Sequence, residues 1–262
     1  MTERPLVLAT NDDGIEAPGL WHLAGAVLDF ADVLVVAPAF NQSGMSAAFT
    51  IRQDLEAERA HSQLNGVDAF QVNGTPTDAV LHGIRHLAPR HIDMIVSGVN
   101  PGPNVGRDIL HSGTVMAAMQ GYLRNLPSVA ASLWSFDDDH LPDAAIVAAR
   151  IARRLLESGQ IQFLNVNAPN LPLSEFNGVR VTPVANVSPS RVVDRIDEQG
   201  TTHRQLVLRP DADVAPDTDV AAIIEGAVTV TPLHNDLTFH EKLADAASVI
   251  GDVDALLNGA ID

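Results

Sequence analysis

The stretch Leu6-Val7-Leu8-Ala9-Thr10-Asn11-Asp12-Asp13-Gly14 decides the fold, because a short apolar run stops there in a polar turn. Pro18 follows and suits the first turn of a helix whose apolar side chains recur at helical spacing through Val27. Residues 32–38 are again apolar and β-branched without alternation, which is typical of a strand buried on both faces of a parallel sheet. The sequence therefore predicts a strand–helix–strand unit.

The same alternation continues outward through the first 170 residues. Thr75-Pro76 resembles an N-cap and first-turn pair opening a helix through Leu87, and Pro142 precedes a long amphipathic helix over 144–156. Further strands are predicted over 92–96, 128–133 and 161–166, and a further helix over 114–123. We therefore expect a doubly wound, mostly parallel α/β sheet between two helical layers, which binds ligands outside the carboxyl ends of its strands.

Two regions are less regular. Residues 50–52 and 69–72 are predicted to be antiparallel strands. Short β-like runs over 179–184, 191–196 and 205–208 follow, with a hairpin turn at Gly200 between the last two. We interpret 1–177 as the α/β domain that holds the functional site. We interpret 178–262 as an extension with hairpins and a helix, used in oligomerisation.

The composition excludes several classes of chemistry. The 262 residues include 16 Lys+Arg and 33 Asp+Glu, a formal charge of −17, with no cysteine and a single lysine, Lys242. A disulfide, a thiolate nucleophile, a Cys-ligated metal and a P-loop are therefore impossible. No polybasic arm exists, so we expect neither nucleic acid nor a membrane as a partner.

The chain also lacks the patterns of export. No apolar run approaches the roughly 18 residues of a membrane span, and residues 1–5 show no signal-peptide pattern. We expect a cytoplasmic protein. Its acidity has two interpretations: a solvated surface, or carboxylates gathered around a cation.

Three loops at predicted strand ends contain the candidate metal-binding and phosphate-binding residues. In the first, the adjacent carboxylates of Asp12 and Asp13 repel one another unless a cation lies beside them. In the second, Ser43 and Gly44 offer a hydroxyl ligand and an unhindered amide. The alternatives are a capping turn for the first loop and an ordinary polar loop for the second.

The third loop is the most informative, because it runs from Ser97-Gly98 to Ser112-Gly113-Thr114 between a strand and a helix. Its glycines and hydroxyls can direct N–H and O–H groups toward an anion at the helix N-terminus. Asn100 and Asn104 can offer oxygens to a cation or NH₂ groups to a phosphate. The alternative is a long structural loop capped by Thr114. Two other features favour structure over chemistry: Asp78 as a helix cap, and Asn165 and Asn167 as packing groups.

Familiar catalytic motifs are missing. Residues 82–86 lack the glutamate of HExxH, no GxSxG occurs, and the glycines between 98 and 106 do not form GxGxxG. A zinc protease, an α/β-hydrolase triad and a Rossmann dinucleotide site are therefore unsupported.

Taken in order, the loop segments resemble the survival protein SurE family of metal-dependent nucleotidases. The resemblance spans about residues 5–240, and the order and spacing of the motifs make it specific. The matching segments are 10–14, 41–44, 73–78, 97–100 with Gly102, Asn104, Gly106 and Asp108, 112–115 with Ala117 and Ala118, 164–167, and 230–233.

The resemblance implies that Asp12, Asp13, Ser43 and Asn100 hold one divalent cation per subunit, Mg²⁺ or Mn²⁺. It implies hydrolysis of nucleoside 5′-monophosphates to nucleoside and phosphate, with 3′-nucleotides or short polyphosphate as further substrates of some members. It also implies a homodimer or homotetramer with exchanged C-terminal hairpins. His111, Gln120 and Asn41 depart from the family's common residues, which bears on substrate preference more than on reaction type.

We expect a dianionic phosphomonoester to need that cation, because two aspartates would otherwise repel it. Asp12, Asp13 and Asn100 are the candidate catalytic residues, with either aspartate available as base and a phosphoenzyme on Asp12 left open. The candidate substrate-binding residues are Asn11, Gly44, Asn104, Ser112, Gly113 and Thr114. Two rival hypotheses are a receiver-like Mg²⁺-binding signalling module and a non-catalytic nucleotide-binding protein.

Overall fold

The structure is a computed structural model that describes residues 4–137, 139–197, 199–208, 214–250 and 253. Parts of the predicted 178–262 extension, at 198, 209–213, 251–252 and 254–262, lie outside the described residues. The strands are β1 (Leu6–Thr10), β2 (Asp32–Pro38), β3 (Ala57–Arg59), β4 (Asp68–Val72), β5 (Met94–Pro101), β6 (Ser128–Trp134), β7 (Phe163–Pro169), β8 (Val179–Val181), β9 (Ser190–Ile196), β10 (Thr202–Leu208) and β11 (Val228–Leu233). The helices are α1 (Pro18–Val27), α2 (Pro76–His82), α3 (Gly113–Tyr122), α4 (Leu141–Ser158), α5 (Asp219–Ile224) and α6 (Leu243–Val249).

Nine of the described strands form one sheet in the order β3-β4-β2-β1-β5-β6-β7-β11-β8. The six strands from β4 to β7 in this order are mutually parallel, whereas β3 and β11 run antiparallel to β4 and β7. This arrangement confirms the predicted doubly wound α/β fold.

Both faces of the sheet are covered by helices, which explains why its strands are apolar without alternation. Val7 and Ala9 of β1 belong to the core beneath α1 and α4. Leu6 and Leu8 belong to the core beneath α2, on the opposite face. Alternate residues of β1 therefore pack against the two helical layers, one on each face of the sheet.

Predicted helix signals correspond to real caps. Thr75 and Asp78 form a capping box, in which the Asp78 N–H donates to Thr75 Oγ1 at 3.2 Å and the Thr75 N–H donates to Asp78 Oδ2 at 2.9 Å. The predicted capping role of Asp78 is confirmed. The helix predicted through Leu87 is α-helical only to His82 and continues as a π-helical turn over Gly83–Leu87.

The strand predicted at 50–52 is wrong, because β3 (Ala57–Arg59) is the antiparallel partner of β4. The Thr50 N–H donates to Asp78 Oδ1 at 3.0 Å, and its hydroxyl donates to Asp78 Oδ2 at 2.7 Å. Arg52 has a φ of 63°, which is left-handed and incompatible with an extended strand. This segment is therefore held by hydrogen bonds to Asp78, the capping residue of α2, and does not form a strand.

The predicted hairpin is confirmed as β9 and β10, an antiparallel pair whose turn contains Gly200 at a φ of 82°. Within the described residues this pair forms a sheet of its own. Strands β8 and β11 instead continue the nine-stranded sheet, so that sheet draws strands from both sides of residue 177. None of the helices in the described residues is both long and apolar enough to cross a membrane.

Candidate active site

The candidate site lies where the strand order reverses, at the carboxyl ends of β1 and β5. The chain moves from β1 to β2 on one side and places β5 on the other. Such a switch point leaves a crevice between the diverging connections, and ligands of open α/β sheets bind there. Asp12 is the second residue after β1, and Asn100 lies near the end of β5.

A cavity of about 490 Å³ opens at this point. Six of the predicted site residues line it: Asp12, Ser43, Gly44, Asn100, Asn104 and Ser112. The structure therefore brings together groups from three loops that are far apart in the sequence, as the strand-end argument predicts.

Asp12 is the most deeply buried carboxylate of the cavity, with 3% of its surface exposed. The Thr114 hydroxyl, at the start of α3, donates a hydrogen bond to Asp12 Oδ1. Burial raises the pKa of Asp12, and the Thr114 hydroxyl with the amides of Gly113 and Thr114 opposes that rise. The α3 N-terminus is thus directed at a protein carboxylate, and its partial positive charge helps to keep that carboxylate ionised.

Asp13 is next to Asp12 and has a weaker set of partners. Burial, with a second contribution from the charge of Asp12, raises the pKa of Asp13 to about 7. Asn41 Nδ2 lies 3.4 Å from Asp13 Oδ1, whereas the buried Asp13 Oδ2 has no hydrogen-bond partner among the described residues. An unpartnered buried carboxylate oxygen beside a second carboxylate fits a bound cation.

Neutral oxygens complete the set. Asn100 Nδ2 donates to the Gly102 carbonyl at 2.6 Å, which leaves the side-chain oxygen of Asn100 as its available ligand atom. The exposed Ser43 contributes a hydroxyl. Among the residues that the structure describes, no three His, Cys, Asp or Glu side chains are gathered as metal ligands. A cation here would therefore rely on two carboxylates and neutral oxygens, which suits a hard divalent ion.

A glycine in β5 makes the position of Asn100 possible. The pairing of β5 with β6 shifts register between Ser97 and Asn100. Gly98 lies inside this irregularity with a φ of 121°, and a Cβ there would lie 2.1 Å from the Ala131 carbonyl oxygen. Only glycine allows the two strands to approach this closely while the chain turns Asn100 into the cavity lining.

Three predicted substrate contacts lie outside the cavity lining. Asn11 closes its own turn, donating to the Gly14 carbonyl at 2.9 Å and accepting from the Gly14 N–H at 3.3 Å. Gly113 and Thr114 contact Asp12. These residues therefore shape the aspartate pair, and direct contact with substrate stays a prediction.

Asn104 lines the cavity but is held by the neighbouring strands. Its side chain donates to Ser132 Oγ at 2.7 Å, and its carbonyl accepts from Asn165 Nδ2 at 2.7 Å and Asn167 Nδ2 at 3.0 Å. The packing role predicted for Asn165 and Asn167 is confirmed. Asn104 is thus fixed against β6 and β7, and one N–H of its side-chain amide is engaged by Ser132.

The C-terminal region is tied to the same loop through Asp219. The Gly106 N–H donates to Asp219 Oδ2 at 2.9 Å, and the Ala185 N–H donates to Oδ1 at 2.8 Å. Asp219 is fully buried, and burial raises its pKa despite these donors. The loop that forms the cavity wall is therefore held in part by Asp219, which lies after residue 177 in the chain.

Besides Pro101, Gly102 and Pro103, seven cavity residues were not predicted as site residues: Arg107, Asp108, His111, Phe136, Ser188, Ser190 and Leu206. The first three lie within the third loop, and Phe136 follows the end of β6, so the strand-end rule could have found them. Ser188, Ser190 and Leu206 come from the hairpin region, where no local pattern indicates a site.

A larger hollow of about 700 Å³ lies between α1 and α4. It contains exposed charged side chains such as Asp29 and Arg150, on helix surfaces that are not strand ends. The smaller cavity is lined by the buried Asp12, and the half-buried Asp13 lies next to it in the chain, outside the lining residues. This carboxylate chemistry identifies the smaller cavity as the candidate site.

Comparison with known proteins agrees with this geometry. A family model described as survival protein SurE matches residues 7–191, which include every proposed metal ligand. The chain belongs to the survival protein SurE family. The SurE resemblance seen in the sequence is therefore confirmed.

Curated SurE relatives and a solved SurE structure span nearly the whole chain. The 5′-nucleotidase SurE of Dehalococcoides mccartyi strain CBDB1 is 38% identical over 255 residues, covering 93% of this chain and 96% of the relative. The 5′/3′-nucleotidase SurE of Salmonella arizonae is 45% identical over 240 residues, covering 89% and 92%. The crystal structure of the SurE protein from Aquifex aeolicus aligns with a TM-score of 0.79 at 33% identity, covering 94% of this chain and 99% of that one.

Proposed function

We propose that this protein is a divalent-metal-dependent phosphatase that hydrolyses nucleoside 5′-monophosphates to nucleoside and phosphate. The observation that supports it most is the Asp12–Asp13 pair at the switch point, with a buried, unpartnered oxygen on Asp13. The relatives named as 5′-nucleotidase and 5′/3′-nucleotidase support the same reaction. Activity on 3′-nucleotides or short polyphosphate is a finer proposal of the same kind.

Asp12, Asp13, Ser43 and Asn100 would hold one Mg²⁺ or Mn²⁺ ion per subunit. When bound, the ion supplies positive charge that draws in the phosphate dianion and lowers the cost of activating water. Oxygen ligands of this kind fit either metal.

The chain's own groups then position the reactants. The exposed Gly44 has open space around its Cα, so its amide can approach a phosphate oxygen. Ser112 lines the cavity, although its hydroxyl also accepts from the Val115 N–H at 3.1 Å as the cap of α3. Arg107 and His111 add positive or hydrogen-donating side chains to the same wall.

The water's proton needs a carboxylate acceptor. We assign this role to the Asp12–Asp13 pair, because both are in or beside the cavity and Asp13 Oδ2 is not engaged by other side chains. Thr114 and Gly113 keep Asp12 in one orientation.

The two rivals fit less well. A receiver-like module needs a phosphate-accepting aspartate at a central strand end and a lysine nearby. Here the central strand β5 ends in a Ser-Gly-Val-Asn-Pro run. Lys242 pairs with Asp245 in the exposed C-terminal region at 2.7 Å. A silent nucleotide-binding protein would bind AMP without turnover, so binding and phosphate release measured on one preparation distinguish it from an enzyme.

Chelation tests the proposed function. With AMP or GMP as substrate and Mg²⁺ or Mn²⁺ present, we expect steady phosphate release, and EDTA should reduce it at least about 100-fold. Excess metal should restore the rate, which excludes irreversible unfolding by the chelator. Full activity in EDTA would contradict the metal requirement, and no release from any nucleotide with either metal would contradict the reaction.

We also propose that residues 178–262 serve in assembly, as a homodimer or homotetramer with an exchanged hairpin. Val192 and Ile196 lie on one face of β9 and are 64% and 69% exposed. Leu206, on β10, is the cross-strand partner of Val192 and is 52% exposed. The Asp194–Arg204 ion pair lies on the same face, between these apolar side chains. Exposed apolar side chains grouped around an ion pair suit a surface covered by a partner. The cytoplasmic location stays a prediction.

Introduction of negative charge on that face tests the assembly. The double variant Val192→Asp/Ile196→Asp should shift the molar mass measured by light scattering toward that of one 27.8 kDa chain. Ile161→Asp, which alters an exposed apolar residue outside the hairpin, should leave the mass unchanged. A double variant with the wild-type mass would contradict the hairpin's role.

A further inference from the structure

Phe136 is an aromatic side chain that the proposed reaction does not use. It follows the carboxyl end of β6, lines the same cavity as Asp12, and is 51% exposed. A Cβ added to Gly102 would lie 2.8 Å from Phe136 Cε1, so the ring rests against the backbone of the Asn100–Gly102 turn. One side of the ring is therefore supported by the protein, while the remainder is open to the cavity.

The strand ends that precede Asp12 and Phe136 are separated by about the span of a nucleotide. Asp12 follows β1, and Phe136 follows β6, which lies two strands away across β5. Neighbouring strands are about 4.8 Å apart, so the two strand ends are roughly 10 Å apart. In a 5′-nucleotide the phosphate and the base are likewise separated, by the length of one ribose.

The surroundings of the ring suit an aromatic base better than a second phosphate. Pro101, Pro103 and Leu206 line the cavity with Phe136 and contribute apolar surface. Asp108, on the same wall, is already engaged, since Ser188 Oγ donates to its Oδ1 and the Ser190 N–H donates to its Oδ2 at 3.2 Å. The guanidinium of Arg107, on the same wall, is also engaged, since its Nε and Nη2 donate to Asn186 Oδ1 at 3.0 and 2.7 Å. With Asp108 negative and Arg107 engaged, this wall disfavours a second anion.

We propose that Phe136 is the stacking platform for the nucleobase, which makes it a specificity-determining residue for substrates that have a base. This inference rests on the proposed nucleotidase function. Stacking of a base on an aromatic ring acts on every base, because each has a π-face. Phe136 therefore distinguishes nucleotides from base-free phosphate esters, and its contribution is similar for AMP and GMP.

The test compares nucleotides with ribose 5-phosphate, which has the same sugar and phosphate without the base. Phe136→Ala should raise KM for AMP and for GMP about 5- to 100-fold, the range expected for loss of one stacking contact. Its kcat should be little changed, and kcat/KM for ribose 5-phosphate should equal that of the wild type. Phe136→Trp, which keeps an aromatic face, should restore KM for AMP to near the wild-type value.

Phe49→Ala is the matched control, because Phe49 is 56% exposed and lies outside the residues that line the cavity. It should leave both substrates unaffected. Equal losses on AMP and ribose 5-phosphate, or no change in either, would overturn the stacking role while leaving the nucleotidase function intact. A wild-type protein that releases phosphate from no nucleotide would overturn both. Circular dichroism melts of each variant distinguish an unfolded protein from one that lacks only the stacking contact.

Discussion

Replacing Asp12 with asparagine is expected to lower kcat/KM for AMP at least about 1,000-fold, because the site would lose the buried charge that we propose for cation binding and proton transfer. The substitution keeps the size and shape of the side chain. The Thr114 hydroxyl can still donate to the asparagine oxygen, so the start of α3 should stay in place. The loss therefore reports on charge and not on packing.

Although the activity of the Asp12→Asn variant should fall, its thermal stability should stay the same or rise. Asp12 is 3% exposed and burial raises its pKa, so the ionised carboxylate is costly in the metal-free fold. We expect the Tm of the metal-free variant to equal or exceed that of the wild type. Addition of Mn²⁺ should raise the wild-type Tm and have little effect on the variant, because the variant lacks the charge of one proposed ligand.

Glu16→Gln provides the control, because it removes one exposed negative charge close to the same loop. Its activity and its metal-dependent Tm shift should match the wild type. Nearly full activity in Asp12→Asn would contradict the assignment of Asp12, and a strongly reduced Tm would show that its main role is structural.

Much of the fold follows from local patterns. Buried strands without alternation, such as Asp32–Pro38, indicate a parallel sheet, and the Thr75–Asp78 pair marks the start of α2. The strand-end rule then locates the site, since Asp12, Ser43 and Asn100 all follow or end strands. These features depend on neighbours within a few residues, and a single sequence contains that information.

Long-range contacts account for what the sequence did not reveal. The side-chain partner of Asp12 is Thr114, 102 residues away, so a hydroxyl that resembles part of a phosphate cradle also supports a carboxylate. The partners of Asp78 include Thr50, 28 residues away, and this contact replaces the predicted strand at 50–52. Leu206 reaches the cavity from the hairpin, which depends on how the extension folds back. Such pairings depend on tertiary packing, which overrides local propensity.

The close contact between Gly113 and Asp12 predicts a large loss of activity when Gly113 is enlarged. A Cβ at Gly113 would lie 2.8 Å from both Cβ and Oδ2 of Asp12, closer than real Cβ contacts allow. Gly113→Ala must therefore displace the Asp12 carboxylate or the first turn of α3. A displacement of about 1 Å in a reacting group costs on the order of 100-fold in rate, and we expect kcat/KM for AMP to fall by that factor or more.

Gly121→Ala makes the same change on the same helix, but we expect it to lower stability and to leave activity nearly unchanged. A Cβ there would lie 2.4 Å from Ile95 Cγ1 and from Ser128 Oγ, both in the core and away from Asp12. Overpacking of this kind costs about 1–3 kcal/mol of stability, visible as a lower urea midpoint, while the folded fraction keeps near wild-type kcat/KM. Gly113→Ala should show the reverse: a large loss of activity with a smaller change in midpoint. If both variants lose stability equally and neither loses specific activity, Gly113 is only a packing residue and the α3 N-terminus does not position Asp12.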